Sequence, residues 1–159
     1  MNFLLSDEQL ALVDSVAGLL RNSCDPLHVH KVFDTPGEAQ FDAGLWSALC
    51  EMGLPAIIVP EEQGGLGLGM VNLAIVADAL GKVVAPVPFL GHVLATLAIS
   101  LGGSDAQKAK WLPKLATGEV LGTVALCEGK RGWMPNQWTL TGTSLTGTKT
   151  LVPNAAEAD

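Results

Sequence analysis

Between Val59 and Gly69 the chain reads V-P-E-E-Q-G-G-L-G-L-G, and four glycines within six residues demand a backbone path that side chains would block. Such a run is a loop. It separates two amphipathic segments and on its own names no function. Glycine runs can also present free amides to a phosphate. This one lacks the Lys-Ser/Thr ending of a P-loop and follows no clear strand of a βαβ unit, so the nucleotide-loop reading is set aside.

The flanking segments carry helix punctuation. Ser6-Asp7-Glu8-Gln9 has the form of a capping box, and Leu10, Val13, Val16, Ala17 and Leu20 recur at helical spacing, predicting a helix that ends near Cys24. A polar stretch through Asp34, Thr35, Pro36 and Gly37 has loop chemistry. Asp42 then caps a second helix burying Leu45, Trp46 and Leu49 and stopping at Gly53, beyond which Pro55 cannot continue it. After the glycine loop a third helix is predicted from Met70 to Leu80, with Val71, Ala74, Ile75, Ala77 and Leu80 as its apolar set and Gly81 closing it. Pro88 sits at a favourable start for a fourth, whose apolar residues are Leu90, Val93, Leu94, Leu97 and Ala98. Ser104 and Gln107 repeat the capping box for a fifth, ending at Gly118.

From Val120 the pattern changes. Val120 to Leu126, Trp138 to Thr141 and Ser144 to Val152 are rich in Thr, Val and Leu and read as strands. The expectation is an α+β chain: residues 1–118 form an all-helical bundle of five helices, and residues 119–159 begin a small β domain that is incomplete.

Composition narrows the function. A chain of 159 residues can bury one sizeable core without disulfides, and its three cysteines, Cys24, Cys50 and Cys127, read as reduced thiols of a cytoplasmic protein. The amino terminus shows no export signal. Val83 to Leu101 imitates a membrane span, but Pro86 and Pro88 interrupt its start and the remainder falls short of the roughly 20 apolar residues a bilayer requires. A net charge of −7 repels nucleic acid, and the local cluster Lys108, Lys110 and Lys114 reads as a solvated helix face. With 16% charged and 48% hydrophobic residues, some apolar surface is expected to meet another chain or domain.

Isolated side chains add little. Cys24, His28 and His30 match none of the common zinc spacings, and the ordinary reading of each is core or surface. His92, on the apolar fourth helix, reads as a satisfied buried histidine.

The order of motifs carries more. Glu51-Met52-Gly53-Leu54 precedes the glycine loop; Ser104 to Lys108, Trp111 to Leu115 and Thr117-Gly118-Glu119 follow it; then come Ala125-Leu126-Cys127-Glu128 and Leu145 to Lys149. This series, running almost from Leu5 to Asp159, resembles the amino-terminal half of the acyl-CoA dehydrogenases. The resemblance implies a helical domain, a small β domain and a second helical domain carrying the catalytic glutamate, which no residue of this chain matches. It also implies α,β-dehydrogenation of an acyl-CoA thioester, with a glutamate removing the α-proton, the β-hydrogen leaving as hydride to FAD, and electrons passing to an electron-transferring flavoprotein. In that family the glycine loop is structural, and the stretch matching Ala85 to His92 lines the far end of the acyl cavity. Pro86, Val87 and Leu90 are therefore the candidate substrate-pocket residues, although core packing explains the same residues almost as well.

The flavin half departs from the family. Where the usual run is aromatic-x-x-Thr-Glu-Pro-x-x-Gly-Ser-Asp, this chain has Val124 to Met134, retaining Glu128 and Gly132 but placing Val124, Cys127, Gly129 and Trp133 at the aromatic, threonine, proline and serine positions. The family's Gly-x-Lys-x-Trp-Ile-Ser/Thr becomes Gly147 to Pro153, with Leu151 for the tryptophan and Pro153 for the hydroxyl. Leu126, Cys127 and Gly132 are the candidate cofactor-binding residues that remain. The resemblance thus admits an altered partner subunit of a hetero-oligomer, as in some bacterial members acting on steroid side chains, or an ordinary homo-oligomeric flavoenzyme. A non-catalytic helical interaction module is the third reading, and it requires a natural end at Asp159.

Overall fold

A computed structural model describes residues 4–35, 41–129, 133–138 and 146–159. Among these, six α-helices precede two short strands: α1 (Asp7–Ser23), α2 (Pro26–Asp34), α3 (Ala43–Glu51), α4 (Met70–Lys82), α5 (Phe89–Gly102), α6 (Asp105–Thr117), β1 (Cys127–Glu128) and β2 (Lys149–Thr150). The α+β order is the expected one.

Where the chain announces a helix by its cap, the helix is there. Ser6 and Ser104 each form a complete capping box with Gln9 and Gln107, and the Asp42 carboxylate accepts the Leu45 N–H at 2.9 Å. The additional helix is α2, which the periodicity did not single out because it buries only Val29. Its local signals are the Asp25 side chain, accepting the Leu27 N–H, and Pro26 in the first turn. Pro36 and Gly37, expected in the following loop, lie outside the described residues.

Two faces are corrected. On α4 the buried residues are Leu73, Val76 and Leu80, while Val71 and Ala74 are exposed, and the helix runs through Gly81 to Lys82. On α5 the core takes Phe89, Gly91, His92, Val93, Ala95 and Thr96, leaving Leu90, Leu94 and Leu101 exposed at 64%, 38% and 78%. Both helices are apolar nearly all round, so periodicity does not single out the inward face. The neighbours decide it: α4 packs on α1, and α5 on α6.

The core joins Val16 and Leu20 of α1, Leu45, Trp46 and Leu49 of α3, Leu73, Val76 and Leu80 of α4, and Phe89 and Val93 of α5. A smaller cluster of Ala56, Val59, Leu112 and Ala116 sits beneath α6. Over it lies the glycine loop, tied back by hydrogen bonds from Gly65 N–H to the Pro60 carbonyl at 3.0 Å, Leu66 N–H to Ala56 at 3.0 Å, Gly67 N–H to Val59 at 2.9 Å and Leu68 N–H to Ile57 at 2.7 Å. These bonds need the loop backbone pressed on the Ala56–Pro60 segment. A β-carbon at Gly65 would overlap the Val59 carbonyl.

The stretch 121–126 is not a strand. Only Cys127 and Glu128 find partners, antiparallel to Thr150 and Lys149, because a ladder exists only where a second strand accepts it. Trp138 is described outside any strand; Thr139 to Thr141, with Ser144 and Leu145, lie outside the described residues. No helix among the described residues is long and apolar enough to cross a membrane.

The Cys24, His28 and His30 neighbourhood is an ion-pair site. His28 Nε2 lies 2.7 Å from the Asp42 carboxylate, and His30 is 3.9 Å from Asp34; no group of three or more His, Cys, Asp or Glu is gathered among the described residues. Burial alone would raise the Asp42 carboxyl, but hydrogen bonds from Leu45 N–H and His28 outweigh it and hold the group below the ordinary carboxylate range. A depressed carboxylate contributes stability above its unfolded pKa, near 3.9, and loses it as pH falls through the folded value. Asp42→Asn keeps a good cap but cannot titrate. The expected result is a shallower fall of the urea midpoint between pH 6 and pH 3 than in the unsubstituted protein; parallel curves would show that Asp42 does not contribute.

Candidate functional site

The candidate substrate residues lie on the turn into α5. Pro86 is fully buried and its carbonyl accepts the Asp42 N–H at 2.7 Å, so it joins the core rather than an open wall. Val87 and Leu90 border a cleft of about 320 Å³ with Ala77, Leu80, Val84 and Phe89. The lining carries no charge. Such a wall accepts hydrocarbon and disfavours an ion, which would lose its hydration without a partner.

The candidate cofactor segment leaves α6 at Gly118, where φ is +73°, and runs back across the start of α5. Leu121 exchanges hydrogen bonds with Asp159, its N–H donating to the carboxylate at 2.8 Å and its carbonyl accepting the Asp159 N–H at 3.0 Å. Gly122 N–H donates to His92 Nδ1 at 3.3 Å, and the Thr123 hydroxyl donates to the Pro153 carbonyl at 2.6 Å. A β-carbon on Gly91 would stand 3.1 Å from the Thr123 hydroxyl. The two candidate stretches, remote in sequence, therefore meet at residues 91–92 and 122–123.

Beyond this crossing, Leu126 is 41% exposed, whereas Cys127 is buried with its thiol donating to the Gly129 carbonyl at 3.6 Å. Gly132 lies outside the described residues. The Lys149 ammonium holds the hairpin: it lies 2.9 Å from the Glu128 carboxylate, donates to the Leu126 carbonyl at 3.4 Å and sits 4.3 Å above the Trp138 ring. Thr150 Oγ1 donates to the Gly129 carbonyl at 2.7 Å.

These internal bonds bear on a flavin. The Cys127 thiol is turned to Gly129, the Leu126 carbonyl accepts from Lys149, and Leu151 and Pro153 bring no side-chain donor. The Glu128 carboxylate is paired with Lys149 in a largely buried contact. Sequence reasoning missed the Lys149–Glu128 pair, the Leu121–Asp159 exchange and the second bond of His92. All three join residues more than twenty positions apart, where no spacing rule reaches.

Buried His92 is satisfied as its composition predicted. Nε2 bonds the Leu115 carbonyl at 2.9 Å, the ring meets Trp46 edge-on at 5.1 Å between centroids, and the Thr96 hydroxyl donates to the His92 carbonyl at 2.9 Å. Of the three lysines read as a solvated face, Lys114 pairs with Glu119 at 2.8 Å and Lys110 lies 4.4 Å over the Trp111 ring.

Comparison with known proteins agrees with this architecture. Residues 6–119 match the family described as acyl-CoA dehydrogenase, N-terminal domain. Acyl-CoA dehydrogenase IpdE2 of Mycolicibacterium smegmatis is 36% identical over 122 residues, covering 76% of this chain and 37% of the relative. Among solved structures, a variant of the Tcur3481–Tcur3483 steroid ACAD superposes with a TM-score of 0.83 at 29% identity, covering 96% of this chain and 43% of that one. The ChsE4–ChsE5 complex from Mycobacterium tuberculosis superposes with a TM-score of 0.73 at 29% identity, covering 82% of this chain and 35% of that one. The chain thus spans well under half the length of these relatives. By the family match over most of its length, its capped helices and the glycine loop between them, the chain belongs to the acyl-CoA dehydrogenase family, of which it presents the amino-terminal helical domain followed by a short β segment.

Proposed function

We propose that this chain is the amino-terminal portion of an acyl-CoA dehydrogenase-type flavoprotein subunit, acting in α,β-dehydrogenation of an acyl-CoA, and that the subunit is the partner with an altered flavin site in a hetero-oligomer. The observation that carries the reading is the internal use of the Leu126 carbonyl, which accepts from Lys149, and of the Cys127 thiol, which donates to Gly129. A chain that keeps the family fold while using these groups internally contributes framework and apolar wall, and leaves the base and most of the cofactor contacts to other protein. The exposed stripe Leu90, Leu94 and Leu101 on α5 supports the same reading, since an apolar face of this kind is stable in water only when another surface covers it. Similarity to a steroid ACAD and to the ChsE4–ChsE5 complex favours a bulky apolar acyl group and an oligomeric assembly, and membership of the family implies electron transfer to an electron-transferring flavoprotein. Val87 and Leu90 would form part of the acyl wall.

The test is flavin per polypeptide. Expressed alone, the complete subunit is expected to purify with little FAD, and co-expressed with a catalytic partner, with less than one FAD per chain. One tightly bound FAD per chain in a homotetramer expressed alone would overturn the partner-subunit reading and leave an ordinary flavoenzyme. The 159-residue chain is expected to give no turnover with acyl-CoA and an artificial acceptor; turnover abolished by Glu128→Gln would show that a base had been overlooked.

A further inference from the structure

Both ring nitrogens of His92 serve backbone groups of elements other than its own. Nε2 faces the Leu115 carbonyl in the last turn of α6, which can only accept, so Nε2 carries the proton. Nδ1 faces the Gly122 N–H, which can only donate, so Nδ1 carries none. The geometry therefore selects one tautomer of the neutral ring. The residue is 0% exposed. Gly122 lies directly in the groove between α5 and α6: a β-carbon there would stand 2.8 Å from Ala95 Cβ and 3.0 Å from Leu115 Cδ2. A second proton on the ring would set an Nδ1–H against the Gly122 N–H, donor against donor. It would also place a charge among Trp46, Leu115 and Ala95.

We propose that His92 is a proton-sensitive latch: the neutral ring holds residues 121–128 in the α5–α6 groove, and a second proton on Nδ1 releases that segment while the helical bundle stays folded. The surroundings offer the cation no compensation. α5 itself carries no charged residue; from α3 the titratable groups near this junction are Cys50 and Glu51; at the end of α6 Lys114 is paired with Glu119 on the surface; and the carboxylate of Asp159 is bonded to Leu121 N–H, one residue from the latch. Burial accordingly pushes the His92 ring below its ordinary range, against the smaller opposing effect of the Leu115 hydrogen bond. By sign, a histidine depressed in the folded state is fully stabilising above its unfolded pKa, near 6.5, and loses that contribution as pH falls below it. Release thus belongs to the acid side. The stretch freed is the one carrying Leu126 and Cys127, so the latch would set where the β segment leaves the bundle, whatever ligand that segment meets.

Amide hydrogen exchange on the 159-residue chain, read residue by residue and corrected for the intrinsic pH dependence, tests this. Between pH 7.5 and 4.5 the protection factors of Gly122, Cys127 and Glu128 are expected to fall at least about tenfold, the equivalent of one lost hydrogen bond to a buried group, while Leu49 and Val76 keep theirs. His92→Asn places a non-titrating amide oxygen near the Nδ1 position. It should retain protection at Gly122 and abolish its pH dependence. His92→Gln keeps a donor toward Leu115 and loses the Gly122 acceptor, and should be unprotected at Gly122 at both pH values. Asp159→Asn separates the neighbouring carboxylate and should leave the pH dependence in place. The latch is overturned if protection at Gly122 is constant across the range, if it is lost only together with Leu49, or if His92→Asn shows the same fall as the unsubstituted chain.

Discussion

Gly65→Ala is expected to lower the melting temperature by about 6–12 °C, corresponding to a loss on the order of 3 kcal/mol at roughly 2–4 °C per kcal/mol for a chain of this size. The cause is contact rather than dihedral angle. Gly65 is not among the residues with positive φ, but the site of its missing β-carbon is occupied by the carbonyl and side chain of Val59, itself fully buried. Even a methyl group must push the loop off the Ala56–Pro60 segment and break the bonds from Gly65, Leu66, Gly67 and Leu68 that hold it there. Gly67 is the contrasting case: its φ is +61° and its β-carbon site is uncrowded, so Gly67→Val should cost about 1–3 kcal/mol through backbone strain. Thermal melts of the two variants separate the explanations. Equal and small shifts would mean that the loop is not pressed on Val59.

Leu49→Ala is expected to destabilise by about 2–5 kcal/mol, a fall of roughly 4–20 °C, because the side chain is 0% exposed at the centre of a cluster drawn from α1, α3, α4 and α5. Four helices meet there, so the cavity cannot close without moving an entire element. The urea midpoint should shift with an unchanged slope, as in loss of stability without loss of cooperativity. A midpoint like that of the unsubstituted protein would place α3 outside the shared core.

The apolar stripe on α5 connects these packing arguments with function. Leu90, Leu94 and Leu101 lie opposite the buried set of Phe89, His92, Val93 and Thr96, and the cleft beside Leu90 opens on that side. A helix apolar on both faces is built to sit between two surfaces. One is the bundle described here, and the proposed hetero-oligomer would supply the other.

What the sequence by itself determined was punctuation. Ser6 with Gln9, Asp42, and Ser104 with Gln107 begin helices because a short polar side chain can reach amides two or three residues ahead. Gly53 and Gly118 end them because the left-handed turn suits glycine, and the crowded Val59–Gly69 run can only be a loop. These effects act within about four residues, so they are legible without a fold. The tertiary structure alone decided which face α4 and α5 bury, as the exposed Val71 and Leu90 show, since an all-apolar helix is oriented by its neighbours. The helix α2 was missed although its Asp25 cap and Pro26 are local signals, because Val29 is its single buried residue and leaves no apolar period to read. The tertiary structure left the expected strand at 120–126 unpaired and placed the ladder at Cys127 and Glu128, because pairing needs a second chain segment in reach. It also brought His92 to Gly122, Lys149 to Glu128 and Asp159 to Leu121, contacts between residues twenty or more positions apart whose energy exists only once the intervening chain has folded.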